Sequence, residues 1–338
     1  MKIDTNKLKT ALTLLKPGLS KKEIISNANC YLFKNNKIIT YNDEVCFTYP
    51  IEDCGSEFAV VSDELIKLVE KTKVDEISME LSESSLIFRA GKAKAGFKII
   101  ENDFPIDGKM FDEIEWKPIP EDFATALRFA AMSASDDYTN PIINCVHISN
   151  SGEIEGTNNY RLSYWNLNQE MPINETLIPA DNILKALTIQ PTEISKDKDW
   201  VHFRNIDEVT ASCRVLNEIF PNVKHVLSAI VEGTDVVFPD KINEILDKAS
   251  VFTTKEDVAK SVTITYKKNY LFVESESEAG FFKERVPMDI ELNEFSFIIN
   301  PTFLKDVLKR TNKCNLNNNM LTFKGDNWVY IAMLRIEK

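Results

Sequence analysis

The feature that most constrains this chain is an internal repeat. Three segments share one pattern: FAVVSDELIKLV at 58–69, TLIPADNILKAL at 176–187 and SFIINPTFLKDVL at 296–308. Each runs from a short apolar strand through an Asp, Ser or Pro into a helix with Leu-x-x-Leu or Leu-x-x-Val spacing. The Asp or Ser ahead of the helix is a candidate acceptor for the free N–H groups of its first turn. A looser set has the same shape: TNKLKTALTLLK at 5–16, IPEDFATALRFAAM at 119–132 and FPDKINEILDKAS at 238–250. Leu8, Leu12 and Leu15 recur three or four apart, as do Phe123, Leu127 and Ala130, and Ile242, Leu246 and Ala249. That spacing gives a helix with one buried face.

Strand-like sequence broken by turn residues follows the helices, as in CYLFKNNKIITYNDEVCFTY (30–49), ISMELSESSLIFRAG (77–91) and VTITYKKNYLFVESESEAGFFKERV (262–286). The turns are NN, ESS and KKN, and the alternation in VTITYKKNYLFVES fits a hairpin with one wet face. The chain therefore reads as an α+β protein of six units, each a strand, a helix and three more strands. One unit cannot bury both its sheet face and its helix face, whereas two side by side can. With NDFPIDG (102–108) closing the second unit and EIFPNVKHVL (218–227) the fourth, the expected domains are 1–115, 116–235 and 236–338. Should the recurrence be accidental, the strands would belong to some other α+β fold.

The formal net charge of −12 argues against a surface that coats nucleic acid everywhere, but not against a concentrated basic face. The wet sides of the six helices supply candidates. Lys9 and Lys16 lie seven apart on the first, and Lys67 and Lys71 four apart on the second. Arg128 and Lys185 fall on the third and fourth, Lys241 and Lys248 on the fifth, Lys305 and Lys309 on the sixth. Such spacings keep residues on one helix face. Lys21 and Lys22 follow the first helix. Acidic residues crowd instead into strands and loops, ESESEAG at 274–280 among them. Basic helix faces beside acidic strands and loops would attract phosphates without reading bases.

The six units in this order resemble the bacterial-type DNA polymerase sliding clamp family, the beta subunit of DNA polymerase III. The resemblance covers essentially the whole chain. SNANCYLFKNNKIITYND (26–43), NPIINCVHISNSGEIEGTNNYRLS (140–163) and EIFPNVKHVL are its local matches. It implies a DNA clamp fold of three similar domains, each of two units, with helices lining a ring and sheets outside. It further implies a non-catalytic processivity factor: a homodimer closed head to tail around double-stranded DNA, placed there by a clamp loader and tethering a DNA polymerase. The short, acidic, divergent chain suits a bacteriophage or mobile-element member. Edge-to-edge pairing of sheets would close the ring.

The resemblance also implies a peptide pocket between the second and third domains. Thr157-Asn158-Asn159-Tyr160-Arg161-Leu162 stands where the family has Thr-Asp-Gly-His-Arg-Leu. Asn159 replaces the Gly and tolerates a left-handed backbone; Tyr160 replaces the His. Arg161 is either a peptide anchor or a structural tie. The family's Met-Pro-Met-Arg-Leu ending matches Ala332-Met333-Leu334-Arg335-Ile336, preceded by Tyr330. Ser228 stands for a linker Pro, with Val231 the nearby apolar position. The altered walls suggest a client peptide that differs from the usual Gln-Leu-x-Leu-Phe type.

Signals for catalysis are missing from the sequence. His147, His202 and His225 lie in separate segments without metal-ligand spacing, and no GxxxxGK[ST], GxSxG or HExxH is present. Asp136 and Asp137 sit in a polar loop, and Glu274, Glu276 and Glu278 on one strand face. No cofactor is called for. Six cysteines without a CxxC pair read as free thiols in a reducing compartment, and the charged N-terminus as neither signal peptide nor membrane span, so a cytoplasmic protein is expected. The competing readings are a trimeric ring, an enzyme with dispersed carboxylates, and a repeat-built protein-binding adaptor that does not encircle DNA.

Overall fold

The structure is a computed structural model and describes residues 1–20, 27–100, 114–254, 259–288, 292–317 and 319–335. Lys21, Lys22, Ile336 and the 102–108 closing segment lie outside the described residues.

The elements fall into six repeats of one β-α-β-β-β order. The first is β1 (Lys2–Asp4), α1 (Thr5–Leu15), β2 (Cys30–Lys34), β3 (Lys37–Tyr41) and β4 (Val45–Pro50). The second is β5 (Phe58–Val61), α2 (Ser62–Lys71), β6 (Glu76–Ser82), β7 (Ser85–Ala90) and β8 (Ala93–Lys98). The third is β9 (Lys117–Pro118), α3 (Phe123–Ala131), β10 (Cys145–Ile148), β11 (Glu153–Thr157) and β12 (Arg161–Asn166). The fourth is β13 (Thr176–Pro179), α4 (Ala180–Ala186), β14 (Glu193–Lys196), β15 (Trp200–Arg204) and β16 (Thr210–Arg214). A short helix, α5 (Lys224–Ser228), leads into the fifth: β17 (Thr234–Val237), α6 (Ile242–Ser250), β18 (Val262–Lys267), β19 (Tyr270–Ser277) and β20 (Gly280–Pro287). The sixth is β21 (Phe295–Ile299), α7 (Pro301–Leu308), β22 (Lys313–Leu316), β23 (Met320–Lys324) and β24 (Trp328–Met333).

Contacts group these elements into two compact bodies, residues 1–124 with 171–217, and residues 125–170 with 218–338. In the first body one sheet has the order β1-β6-β7-β8 and another β5-β2-β3-β4-β16-β15-β14-β9. The first two repeats thus exchange their leading strands: β1 joins the second repeat's meander and β5 the first's. Helices α1 and α2 pack together. The exchange covers one edge of each meander, satisfying backbone groups that a lone repeat would leave open. In the second body the fifth and sixth repeats make the same exchange, β17 onto β22 and β21 onto β18, and α6 packs on α7. There β10-β11-β12-β24-β23-β22-β17 run side by side, as do β20-β19-β18-β21.

The helix faces follow the sequence periodicity. Leu8, Ala11, Leu12 and Leu15 of α1 are buried, as are Ile242, Ile245, Leu246 and Ala249 of α6. Sheet side chains close helix C-termini: the Tyr31 hydroxyl donates to Leu12 O at 2.7 Å and Thr40 Oγ1 to Leu15 O at 2.8 Å. The caps differ from expectation. Asp4 caps α1 by accepting from Lys7 N, and Asn300 caps α7 by accepting from Thr302 N. Ser62 and Asp63 instead lie inside the first turn of α2, which has no side-chain cap, and α4 follows Pro179 directly. The NN and KKN turns are as read: Asn35 and Asn36, and Lys268 and Asn269, all have positive φ, the tight-hairpin geometry that matches strand twist. All six cysteines are free and buried. Burial pushes the Cys30 thiol up to about 11, away from the reactive thiolate. Among the described residues no helix is long and apolar enough to cross a membrane.

Candidate functional site

Within the second body, the turn joining β11 to β12 is built by its own polar side chains. Asn158 Oδ1 accepts from Tyr160 N at 3.1 Å and Arg161 N at 3.0 Å. Thr157 Oγ1 donates to Arg161 O at 2.7 Å and accepts from Asn159 N. Asn159 takes φ +70°, the left-handed conformation that Asn tolerates among non-glycine residues. Tyr160 stays partly exposed, and its carbonyl accepts from Met333 N at 2.8 Å, fixing the turn against β24.

This turn is one wall of a cleft of about 380 Å³. Thr157, Asn159, Tyr160, Arg161 and Leu162 line it from the turn, and Met320, Ile331 and Met333 from β23 and β24. The opposite wall is the segment through α5, which contributes Pro221, Asn222, Val223, His225, Val226 and Ala229. That segment is held at several points. Phe220 stacks on His147 at 5.0 Å, and His147 Nδ1 meets Glu155 Oε2 at 2.6 Å. Lys224 pairs with Glu153 at 3.3 Å. Burial works to raise the Glu153 carboxyl, but the Tyr164 hydroxyl and Lys224 outweigh it and hold the group below its usual range. Beyond α5, Gly233 N donates to Asn315 Oδ1 at 2.8 Å. A Cβ on Gly233 would come within 2.1 Å of Leu316 O, so only glycine lets the backbone approach the sheet there.

Arg161 is a tie. Its side chain is 9% exposed, its Nη1 donates to Asp306 Oδ2 at 2.8 Å, and its guanidinium lies 4.5 Å from the Phe303 ring centroid. Leu162 and Thr157 are buried beside it in the cleft floor. Along β24 the side chains alternate. Ile331 and Met333 face the cleft; Tyr330 and Ala332 do not line it. Tyr330 is fully buried and donates to Phe303 O at 2.7 Å; burial pushes its hydroxyl far up, with Arg161 pulling the other way. Leu334 and Arg335 line an adjoining cavity of about 190 Å³ that shares Tyr160 and Met333 with the cleft. Ser228 is exposed and bonds His225 O, and Val231 lines neither cavity. The wall residues missed in the sequence had a visible signal: Val223, Val226 and Ala229 are spaced three apart, one face of a helical turn.

The candidate basic residues divide. Lys9, Lys16, Lys71 and Lys241 are exposed, with no ion-pair partner among the described residues, and Arg128 is exposed on α3. Lys67 lies 3.8 Å from Asp63 and Lys248 2.9 Å from Glu284. Lys309 lies 3.3 Å from Asp306, and Lys305 pairs with Asp247. Half-buried Lys185 donates to Asn182 Oδ1 at 3.2 Å. The histidines take structural partners: His202 bonds Ser212 and Asp197, and His225 lies in the cleft wall. Asp137 accepts from Thr139 N, a turn contact. Among the described residues no cluster of His, Cys, Asp and Glu could hold a metal ion.

Six β-α-β-β-β repeats, with leading strands exchanged between the first and second and between the fifth and sixth, define the α+β DNA-clamp fold. More narrowly, the fold is that of the beta-subunit sliding clamps of DNA polymerase III. The crystal structure of the DNA polymerase sliding clamp from Bacillus subtilis matches with a TM-score of 0.81 at 15% identity, over 100% of this chain and 99% of that one. The DNA polymerase III beta subunit from Thermotoga maritima gives 0.81 at 18% identity, with the same coverage. The beta chain from Streptococcus pneumoniae gives 0.82 at 16% identity over 99% of each chain. No protein-family model and no curated protein matches the sequence.

Proposed function

We propose that this chain is a DNA sliding clamp, a non-catalytic processivity factor. Its repeats group as domains 1–115, 116–235 and 236–338, and two copies close head to tail around duplex DNA. The observation that carries the reading is the full-length likeness to sliding clamps at TM-scores near 0.8, combined with a preformed apolar cleft. Exposed Lys9, Lys16, Lys71, Arg128 and Lys241 supply sequence-blind attraction to phosphates. Closure of the ring provides retention, so weak contacts suffice. No cofactor takes part.

Edge strands β8 and β20 are the natural joint, because among the described residues each has one unpaired side in its sheet. On β20, Phe281 is 74% exposed, an apolar side chain in want of cover. DNA polymerase and a clamp loader then dock peptides in the cleft, whose apolar walls and few polar anchors suit a short extended segment. The protein works in the cytoplasm, where replication takes place.

The test is retention on nicked circular duplex DNA, loaded with a bacterial clamp loader and followed by gel filtration. A clamp co-elutes with the circle and is released when the circle is cut once. A protein that never co-elutes, yet binds polymerase peptides, is the repeat-built adaptor instead. The neutralised Lys67, Lys248, Lys305 and Lys309 favour that second reading.

A further inference from the structure

The segment that forms the outer wall of the peptide cleft has a second cleft on its far side, of about 600 Å³. Both lie on one face of one sheet. Residues opposite one another in an antiparallel ladder share a face. The register runs Thr157↔Leu162, Leu162↔Ile331, Ile331↔Thr322, Thr322↔Asn315 and Asn315↔Asp235. The first three residues of that row line the first cleft and the last three the second. The connecting strand of chain passes between, with Val226 and Ala229 facing one side and Ile230, Val231 and Glu232 the other.

Three features of the second cleft are left unanswered by the chain itself. The first is a pair of lysines. Val237 pairs with Lys313, and the Asn315↔Thr322 register continued by two residues sets Lys324 opposite Lys313. Both are exposed, both line the cleft, and neither has an ion-pair partner among the described residues. Like charges facing each other across a ladder repel. Two carboxylates also line the cleft, Glu232 and Asp235. Asp235 belongs to the neighbouring row, where its Oδ1 accepts from Asn315 Nδ2 at 3.0 Å. The second feature is Thr322: 2% exposed at the cleft, its hydroxyl has no hydrogen-bond partner among the described residues. The third is apolar surface, with Val231 62% and Val237 37% exposed.

We propose that this second cleft receives an acidic extension of the client peptide that occupies the first, so that Lys313 and Lys324 select among clients. The inference rests on the reading of the first cleft as a peptide site. The extension sets an aliphatic side chain on Val231 and Val237 and a carboxylate between the two lysines. Two strand spacings, about 10 Å, separate Ile331 from Asn315. An extended segment of roughly six residues covers that distance and clears the intervening chain.

The test uses three fluorescein-labelled peptides and fluorescence anisotropy: Gln-Leu-Ser-Leu-Phe alone, and the same core with Gly-Ser-Gly-Leu-Glu-Glu added at either its N- or its C-terminal end. One of the extended peptides should bind about fivefold tighter than the core, the gain that two exposed ion pairs supply. Lys313→Glu with Lys324→Glu should abolish that gain and leave core affinity unchanged. A Leu-Lys-Lys extension should restore it on the charge-reversed protein, an outcome that a merely structural role for the lysines would not give. Equal binding of core and extended peptides, or a gain that survives the charge reversal, overturns this proposal and leaves the first cleft standing. Failure of the whole core series, Gln-Leu-Ser-Leu-Phe and variants of it changed at each position, to bind at all overturns both.

Discussion

At the scale of single residues, Arg161 separates what a motif names from what a side chain does. Its place in the Thr-x-x-x-Arg-Leu stretch marked it for the pocket, and it does line the cleft. Its charge, however, is spent inside the second body on Asp306 and the face of Phe303. Taking the carboxylate away leaves a guanidinium that is 9% exposed without its counter-charge. Asp306→Ala should therefore lower the free energy of unfolding by about 3 kcal/mol. Arg161→Met, which keeps the packing on Phe303, should cost less; urea midpoints at constant slope decide it. Asn159 tests the turn in the same way. At φ +70° a Cβ-bearing residue without a polar side chain is strained, so Asn159→Ala should cost about 1 kcal/mol while Asn159→Gly is near neutral. Thermal melts of the two variants are the measurement.

Between residue and molecule stand the elements, and here the backbone sets limits that side chains do not reveal. Gly156 in β11 lies so close to α3 that an added Cβ would fall 2.1 Å from Ala130 O. Because that neighbour is backbone, Gly156→Ala must push helix from sheet, and a loss of about 2 kcal/mol is expected in denaturant titration. The β14–β15 hairpin is expected to make the first body sensitive to acid. His202 is 1% exposed; Asp197 Oδ2 lies 3.1 Å from its Nε2 and Ser212 Oγ 2.8 Å from its Nδ1. Burial depresses the histidine, with Asp197 resisting. Burial would raise Asp197, but bonds from Asp199 N, His202 and Trp200 N outweigh it and hold the carboxyl low. Both shifts have the same sign in stability. The unfolded chain takes up the histidine proton first, so stability falls as pH drops below the ordinary histidine range, about 6.5. A second loss follows as pH falls through the depressed carboxylate value. His202→Gln should flatten the first decline and Asp197→Asn the second, read from denaturation midpoints between neutral and acid pH.

For the whole molecule the question is closure. On the proposed reading, edges β8 and β20 join two copies into a dimer, and small-angle scattering with mass from forward intensity reports it directly. Phe281 on β20 is the side chain to change. Phe281→Asp should shift the mass from dimer to monomer at micromolar concentration while circular dichroism and melting stay unaltered. An unchanged dimer would place the joint on other edges. A globular monomer in the wild type would sink the ring itself.

The repeat, the helix faces and the hairpin turns were legible from residue spacing, because apolar periodicity and left-handed turn residues act locally. Leu8, Leu12 and Leu15 are buried as their spacing required, and the NN and KKN turns have the backbone they called for. Other features depended on which strand lies beside which. Nothing in the sequence said that β1 and β5 change places, or that β12 meets β24. Those pairings join Leu162 to Ile331, select Ile331 and Met333 over Tyr330 and Ala332 as cleft wall, and bring Asp306 to Arg161. A one-residue step along a strand turns a side chain to the opposite face, so the cleft wall was fixed by register, a property of two strands and never of one.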